Sequence, residues 1–178
     1  MDNILGTLLD ITGKTKDNHE ARKDLQKMGL RENLHPFTSN NGKIYLPPAC
    51  HTMSHLKKTN FLKVIRVVRV PDGYALNVSR CIRLKESTIV GLKSHDSHIL
   101  MQQIMPIALH GPLSDKVVRL LIELLLFFQG ICSKMLSESD LDRLKSNIII
   151  ILCKLEQIFP LGFFTNMVHV VVHLIREC

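Results

Sequence analysis

SDKVVRLLIELLLFFQGICSKMLSESDLDRLKSNIIIILCKLEQIFP, from Ser114 to Pro160, is the stretch that decides the fold class. Leu120, Leu121, Leu124, Leu125, Phe127, Phe128 and Ile131 take up most of the circumference of a helix that opens at Ser114 or Asp115, just past Pro112, and runs to about Leu136. A helix apolar on nearly every side belongs at the centre of a bundle. Ser137-Glu138-Ser139-Asp140 then has capping-box spacing and opens a second helix. Leu141, Leu144, Ile148, Ile151, Leu152, Leu155 and Ile158 recur at helical intervals until Pro160 ends it. A short link between two long apolar helices predicts an antiparallel helical hairpin. Leu124 and Leu152 are expected in its buried seam, where replacement by Ala costs roughly 2 to 5 kcal/mol.

Val117 to Cys132 is the most apolar segment, yet it contains Arg119, Glu123 and Gln129 and is shorter than the roughly 20 uncharged residues of a membrane span. It reads as a core helix. Hydrophobic residues make up 46% of the 178, with no Trp and two Tyr, so packing rests on Leu, Ile, Val and Met, which favours helices over a sandwich or barrel. Five widely spaced cysteines, with no CxxC pair, read as reduced thiols. Cys132 and Cys153 are expected to behave as small hydrophobes inside the helices. No basic region followed by an apolar run opens the chain, which leads to the expectation of a nuclear or cytoplasmic protein, neither secreted nor membrane-bound.

Immediately before the hairpin lies Gly91 to Leu109, where a polar knot of Ser94, His95, Asp96, Ser97 and His98 runs straight into Ile99, Leu100 and Met101. Such a knot caps a helix, because Ser and Asp oxygens accept the unpaired N–H groups of the first turn. Two imidazoles flanking a carboxylate also suit a divalent metal or proton exchange. That makes Asp96 the one candidate catalytic residue and His95 and His98 candidate metal ligands, although the cap is the favoured reading. Pro106 is expected to kink or end this helix.

Charge is concentrated further upstream. Lys57, Lys58, Lys63, Arg66, Arg69, Arg80, Arg83, Lys85 and Lys93 face only Asp72 and Glu86 between 57 and 93, an excess of seven that equals the net +7 of the whole chain. Phe61, Val64, Ile65 and Val68 are expected on the core side of a helix from His55 to Val70, with Lys58, Lys63, Arg66 and Arg69 on the neighbouring arc. After a turn at Pro71-Asp72-Gly73, an irregular arm carries Arg80, Arg83 and Lys85, pinned by Val78, Ile82 and Leu84. These seven cations are the candidate contacts to a DNA backbone.

Closer to the N-terminus, Asn3 to Ile11 suits a short helix, and Asp17 to Met28 a polar surface helix capped by Thr15 or Asp17 and ended by Gly29. Arg31 to Thr52 reads as loop, with a strong turn signal at Asn40-Asn41-Gly42 ahead of a short strand at Lys43–Leu46. Cys50, His51 and His55 resemble half of a metal site without its second pair, so they are expected to be surface loop residues. At the other end, His169 and His173 lie four apart in an apolar segment and are candidate metal ligands, too few by themselves for a structural zinc. No phosphate-cradling GxxxxGK[ST] loop, dinucleotide fingerprint or nucleophile elbow occurs.

Four blocks, DNILGTLLDITGKTKDNHEARKDLQKMGL (2–30), GKIYLPPACHTMS (42–54), GLKSHDSHILMQQIMPIAL (91–109) and LCKLEQIFPLGFFTNMVHVVVHL (152–174), resemble plant CACTA (En/Spm-type) transposon proteins, in the region of unknown function that follows the transposase core. The resemblance implies a fragment of a larger protein, with Met1 cutting into the core and leaving that terminus frayed or poorly packed. It also implies that His169 and His173 correspond to the histidine half of a metal-binding pattern whose CxxC half this chain lacks. Transposases of this group resemble metal-dependent nucleases with a carboxylate cage, which this chain cannot complete.

The expectation is therefore a mainly α protein: an irregular helical bundle around a long antiparallel helical hairpin, with a loop-rich basic N-terminal half and room there for a short β-hairpin. Parts 1–90 and 91–178 form one continuous domain. Its expected function is non-catalytic and transposase-associated, with no cofactor unless a divalent metal binds in the intact transposase. The expected partners are DNA and the transposase core or further copies of the chain. The alternative is an inactive structural or protein-interaction remnant of a degenerate element, and a third, less favoured reading is a partial catalytic region of a metal-dependent transposase.

Overall fold

Residues 2–68, 78–133 and 135–164 are described by the computed structural model, and they are mainly helical with two small antiparallel sheets of two strands each. Helix α1 spans Asp2–Leu8, and its Ile4, Leu5 and Leu8, with Leu9 after it, are all buried. The chain then folds back across the helix: the hydroxyl of buried Thr7 accepts the Lys16 N–H at 3.2 Å. At Gly6 the return is so close that a Cβ would sit 2.9 Å from the Lys14 carbonyl oxygen. From Ile4 onward this end is thus well packed rather than loose, because its apolar side chains find the main core.

Helix α2 spans His19–Lys27. Asn18 caps it, its side-chain oxygen accepting the Ala21 N–H at 3.0 Å, and Gly29 follows it at φ 64°. Neither Thr15 nor Asp17 is the cap; Asp17 points inward. Strands β1 (Phe37–Thr38) and β2 (Ile44–Tyr45) form the expected hairpin, in register Phe37 to Tyr45 and Thr38 to Ile44, with Gly42 at φ 72° in its turn.

Helix α3 (His55–Val67) is capped by Ser54 and buries Phe61, Leu62 and Ile65. Short helix α4 (Val78–Cys81) packs against it and leads directly into β3 (Ile82–Arg83), paired with β4 (Thr88–Ile89). The segment expected to be an irregular arm is therefore an ordered helix and hairpin from 78 onward. Burial of Val78, Ile82 and Ile89 ties it down.

Helix α5 (Ser94–Ile99), a π-helical turn (Leu100–Ile104) and α6 (Met105–Ala108) make one continuous run. Pro106 neither ends it nor needs a break. In a regular helix its ring collides with the carbonyl four residues back; here the Met105 N–H reaches the Leu100 carbonyl, five back, and this wider turn just ahead of the proline takes up the misfit. Leu100, Ile104, Met105, Ala108 and Leu109 are all buried, against α3 on one side.

Helices α7 (Asp115–Ile131) and α8 (Glu138–Glu156) are the hairpin. Gly130 near the end of α7 lies against Leu144 early in α8, while Glu123 pairs with Lys154 at 2.8 Å, so the two run antiparallel. Ser137 and Asp140 complete the capping box, at 3.2 and 3.3 Å. The buried seam is Leu120, Leu121, Leu124, Leu125 and Phe127 against Leu144, Ile148, Ile151 and Leu155. Leu152 lies at the edge of that stripe and is half-buried, so Ile148 replaces it as the core position of α8.

Cys132 and Cys153 are exposed, contrary to expectation. Helix α7 ends before Cys132 rather than near Leu136, and Cys153 sits two residues from both Ile151 and Leu155, on the opposite side of α8. Among the described residues no helix is long and apolar enough to cross a membrane.

Candidate functional site

The basic segment divides in two. Lys58 falls on the inner side of α3 near Ile65 and Leu62, and its ammonium reaches Asp10 at 3.7 Å. Lys63 and Arg66 lie together on the outer side, and both are exposed. Leu62, not Val64, completes the buried stripe; Val64 and Val67 face outward, at 38% and 76% exposure. Arg80 is exposed at the end of α4, and Arg83 and Lys85 are exposed on the hairpin that continues from it. Arg83 pairs with Glu86 at 3.4 Å. Among the described residues Lys63, Arg66, Arg80 and Lys85 have no ion-pair partner. Arg69 lies outside the described residues.

Asp96 serves the helix. Its Oδ2 accepts the Lys93 backbone N–H at 3.2 Å, which satisfies one donor ahead of α5. Lys93 occupies the cap position, but an ammonium has no lone pair to complete the box. His98 is half-buried, its Nε2 accepting from the Gln102 side-chain amide at 3.0 Å. The backbone of His95 lies in the first turn of α5; its side chain, like His169 and His173, lies outside what is described. Among the described residues no three His, Cys, Asp or Glu side chains gather closely enough to hold a metal ion.

A different cluster was hidden in the sequence. Ala49, His51 and Met53 are buried, at 7%, 1% and 2% exposure, while Cys50, Thr52 and Ser54 between and after them face outward. This two-residue alternation after Pro47-Pro48 was the available signal that His51 is not a surface loop residue. A tight turn sets it, with the Thr52 N–H donating to the Ala49 carbonyl at 2.9 Å and the Thr52 hydroxyl accepting the Ala49 N–H at 3.1 Å.

Inside, His51 Nε2 donates to Asp17 Oδ2 at 2.9 Å. Arg22, 2% exposed, grips the same carboxylate with both arms: Nε donates to Oδ1, and Nη2 to Oδ2 at 2.7 Å. Its remaining Nη1 donates to the Leu34 carbonyl at 3.2 Å. Phe159 stacks on the imidazole, centroids 4.8 Å apart, and Phe163 stacks on Phe159 at 4.4 Å. Arg31, at φ 52°, donates to the carbonyls of Ile158 at 3.2 Å, Phe159 at 3.1 Å and Glu156, filling acceptors that the end of α8 leaves open. The N-terminal segment therefore holds the end of the hairpin by one cation and one ring stack.

The electrostatics follow from this geometry. Burial alone raises the Asp17 carboxyl, but the hydrogen bonds from His51 and Arg22, with their charges, outweigh it and hold the group at about 2. Burial alone lowers His51, yet its bond to Asp17 and its contact with Cys50 raise it above the usual imidazole value. The neighbouring His51 lowers the Cys50 thiol against the opposing effect of burial.

No curated protein and no solved structure matches the chain. The stretch from Ile131 to Cys178, which takes in all of α8 and well under half of the chain, matches the family model Domain of unknown function (DUF4218).

Proposed function

We propose that the chain is a non-catalytic helical domain that holds the phosphate backbone of DNA through its 57–93 segment. Its sequence resemblance supports a plant CACTA (En/Spm-type) origin and a nuclear setting beside the transposase core. The observation that carries the reading is that four of the candidate cations, Lys63, Arg66, Arg80 and Lys85, on α3, α4 and the adjoining hairpin, are exposed and have no ion-pair partner among the described residues. Unpaired surface cations attract phosphates and release their condensed counterions, whereas Lys58, engaged with Asp10, is a secondary contributor. Such contacts position the protein and carry no base specificity. The domain itself takes no cofactor and cuts no strand; metal-dependent phosphoryl transfer belongs to the intact transposase.

Fluorescence anisotropy of a labelled duplex across a salt series tests this. Four phosphate contacts give a log–log slope of roughly −3 to −4, and Lys63→Gln with Arg66→Gln flattens it by about 2. An unchanged slope in the double variant refutes the assignment.

A second reading, docking on the transposase core or another copy, is favoured by the outward apolar side chains of the hairpin, Leu126, Ile149 and Ile150, which are 56%, 49% and 54% exposed. Absence of DNA binding at low salt, together with a dimer by light scattering, selects it.

A further inference from the structure

Resting on the DNA reading above, we propose that α3 is a recognition helix that enters the major groove of duplex DNA and reads base edges with Asn60. Eight of its 13 residues are exposed, and only Phe61, Leu62 and Ile65 are buried, so the helix projects from the body it packs on. A projecting helix about 10 to 12 Å across fits a groove about 12 Å wide and about 8.5 Å deep.

Around the exposed face the side chains are sorted by charge. At about 100° per residue, Leu56, Asn60 and Val67 lie within about 40° of one another along the centre of that face, with Val64 beside them. Lys63 and then Arg66 follow on one side, and Lys57 on the other. Lys57, like Lys63 and Arg66, is exposed and has no ion-pair partner among the described residues. The helix contains neither Asp nor Glu. Uncharged groups thus face outward between two cationic edges, the complement of a floor of base edges between two phosphate backbones. A helix that only gripped phosphates would gain nothing from aliphatics on its outermost line, yet Leu56 and Val67 are 69% and 76% exposed.

The central groups match particular bases. Among the described residues the Asn60 side chain makes no hydrogen bond, which leaves both ends of its amide for a ligand. Its NH2 donates to N7 of adenine while its oxygen accepts from the N6 amino group, a donor and acceptor order that the major-groove edge of adenine presents. The methyl groups of Val64 and Val67 suit the C5-methyl of thymine. From Leu56 to Val67 the helix rises roughly 16 Å, the length of about five base pairs. The site it reads is therefore short and contains A·T pairs, and the flanking cations fix its register.

Selection on the full chain tests it. The probe is a pool of duplexes with about ten randomised central base pairs, retained through successive rounds at about 100 mM salt and then sequenced. The pool should converge on a site that requires adenine at one position. Asn60→Ala should weaken that preference about tenfold, while the salt slope and the affinity for unselected duplex stay within about twofold of the parent. Ala is the better helix former at this exposed position, so misfolding does not account for the loss. Val64→Ala should relax a neighbouring thymine preference, and Lys57→Gln should flatten the slope by about 0.9 without changing the site. A pool that stays random, with the salt slope still steep, overturns the recognition helix and leaves the backbone reading standing. A converged site that Asn60→Ala leaves unaltered overturns it too, as does a Lys57→Gln slope equal to that of the parent. No retention even at about 50 mM salt overturns the recognition helix and the DNA reading together, whether or not vesicles containing phosphatidylserine capture the chain instead.

Discussion

Asp17→Asn keeps the shape of the side chain and removes its charge, and the structure says what that exposes. The side chains of Arg22 and His51 are 3% and 2% accessible, so an amide at 17 leaves a guanidinium and an imidazolium buried with no anion between them. Removing one partner of a buried ion pair costs about 3 to 5 kcal/mol. An independent figure comes from the carboxyl itself: a fall from 3.8 to about 2, at about 1.36 kcal/mol per unit, contributes about 2.5 kcal/mol. The expected destabilisation near pH 5.5 is therefore about 3 kcal/mol. Its sign with pH is determined. Asp17 titrates lower when folded, so its contribution is complete above its unfolded value and is lost as pH falls through the folded one; by about pH 2.5 roughly a third remains. His51 titrates higher when folded, so its contribution is complete below about pH 6.5 and is lost as pH rises through its folded value. The gap between parent and variant is thus widest between about pH 4.5 and 6.5. Urea unfolding followed by circular dichroism, at fixed ionic strength and near pH 2.5, 5.5 and 8.5, measures it. A gap under about 1 kcal/mol at pH 5.5, or one equally large at pH 2.5, refutes the assignment of Asp17 as the counter-ion.

Two further expectations concern packing. Ile148→Ala, at a fully buried seam position, should cost about 2 to 5 kcal/mol in urea unfolding, whereas Ile150→Ala, 54% exposed on the outer side of the same helix, should change it by less than about 1. Equal effects would mean that the hairpin faces are assigned wrongly. Gly6→Ala places a methyl 2.9 Å from the Lys14 carbonyl oxygen and from its Cβ, and should cost about 1 to 3 kcal/mol even though Ala is the better helix former. A variant as stable as the parent would show that the chain does not return over α1 at that distance.

The hairpin was legible because its information is local and repetitive. Seven apolar positions in each helix, a capping box and a terminal proline all point the same way, and the two helices pair as expected. The β-hairpin at Gly42 was legible for a similar reason, since few sequences turn as readily as Asn-Asn-Gly. The errors fell where periodicity is weak. Helical spacing alone sets Lys58 on the outer arc and Val64 on the inner one, the reverse of where they lie, because four apolar positions and four cations in one helix allow more than one axis for the stripe. Pro106 reads as a breaker in any local analysis, and only the burial of Leu100, Ile104 and Met105 on the core makes a π turn the cheaper outcome.

By itself the amino-acid sequence determined the helical class, the hairpin and the concentration of charge between 57 and 93, since each follows from composition or short spacing along the chain. Only the tertiary structure decided that Asp17, Arg22 and His51 share one buried site, that Cys50 stands at its rim, and that Arg31 closes the end of α8. His51 lies 34 residues from its carboxylate, and Arg31 127 from its carbonyl. A buried charge selects its partner by distance in space and by exclusion of water, and neither quantity is written in sequence order.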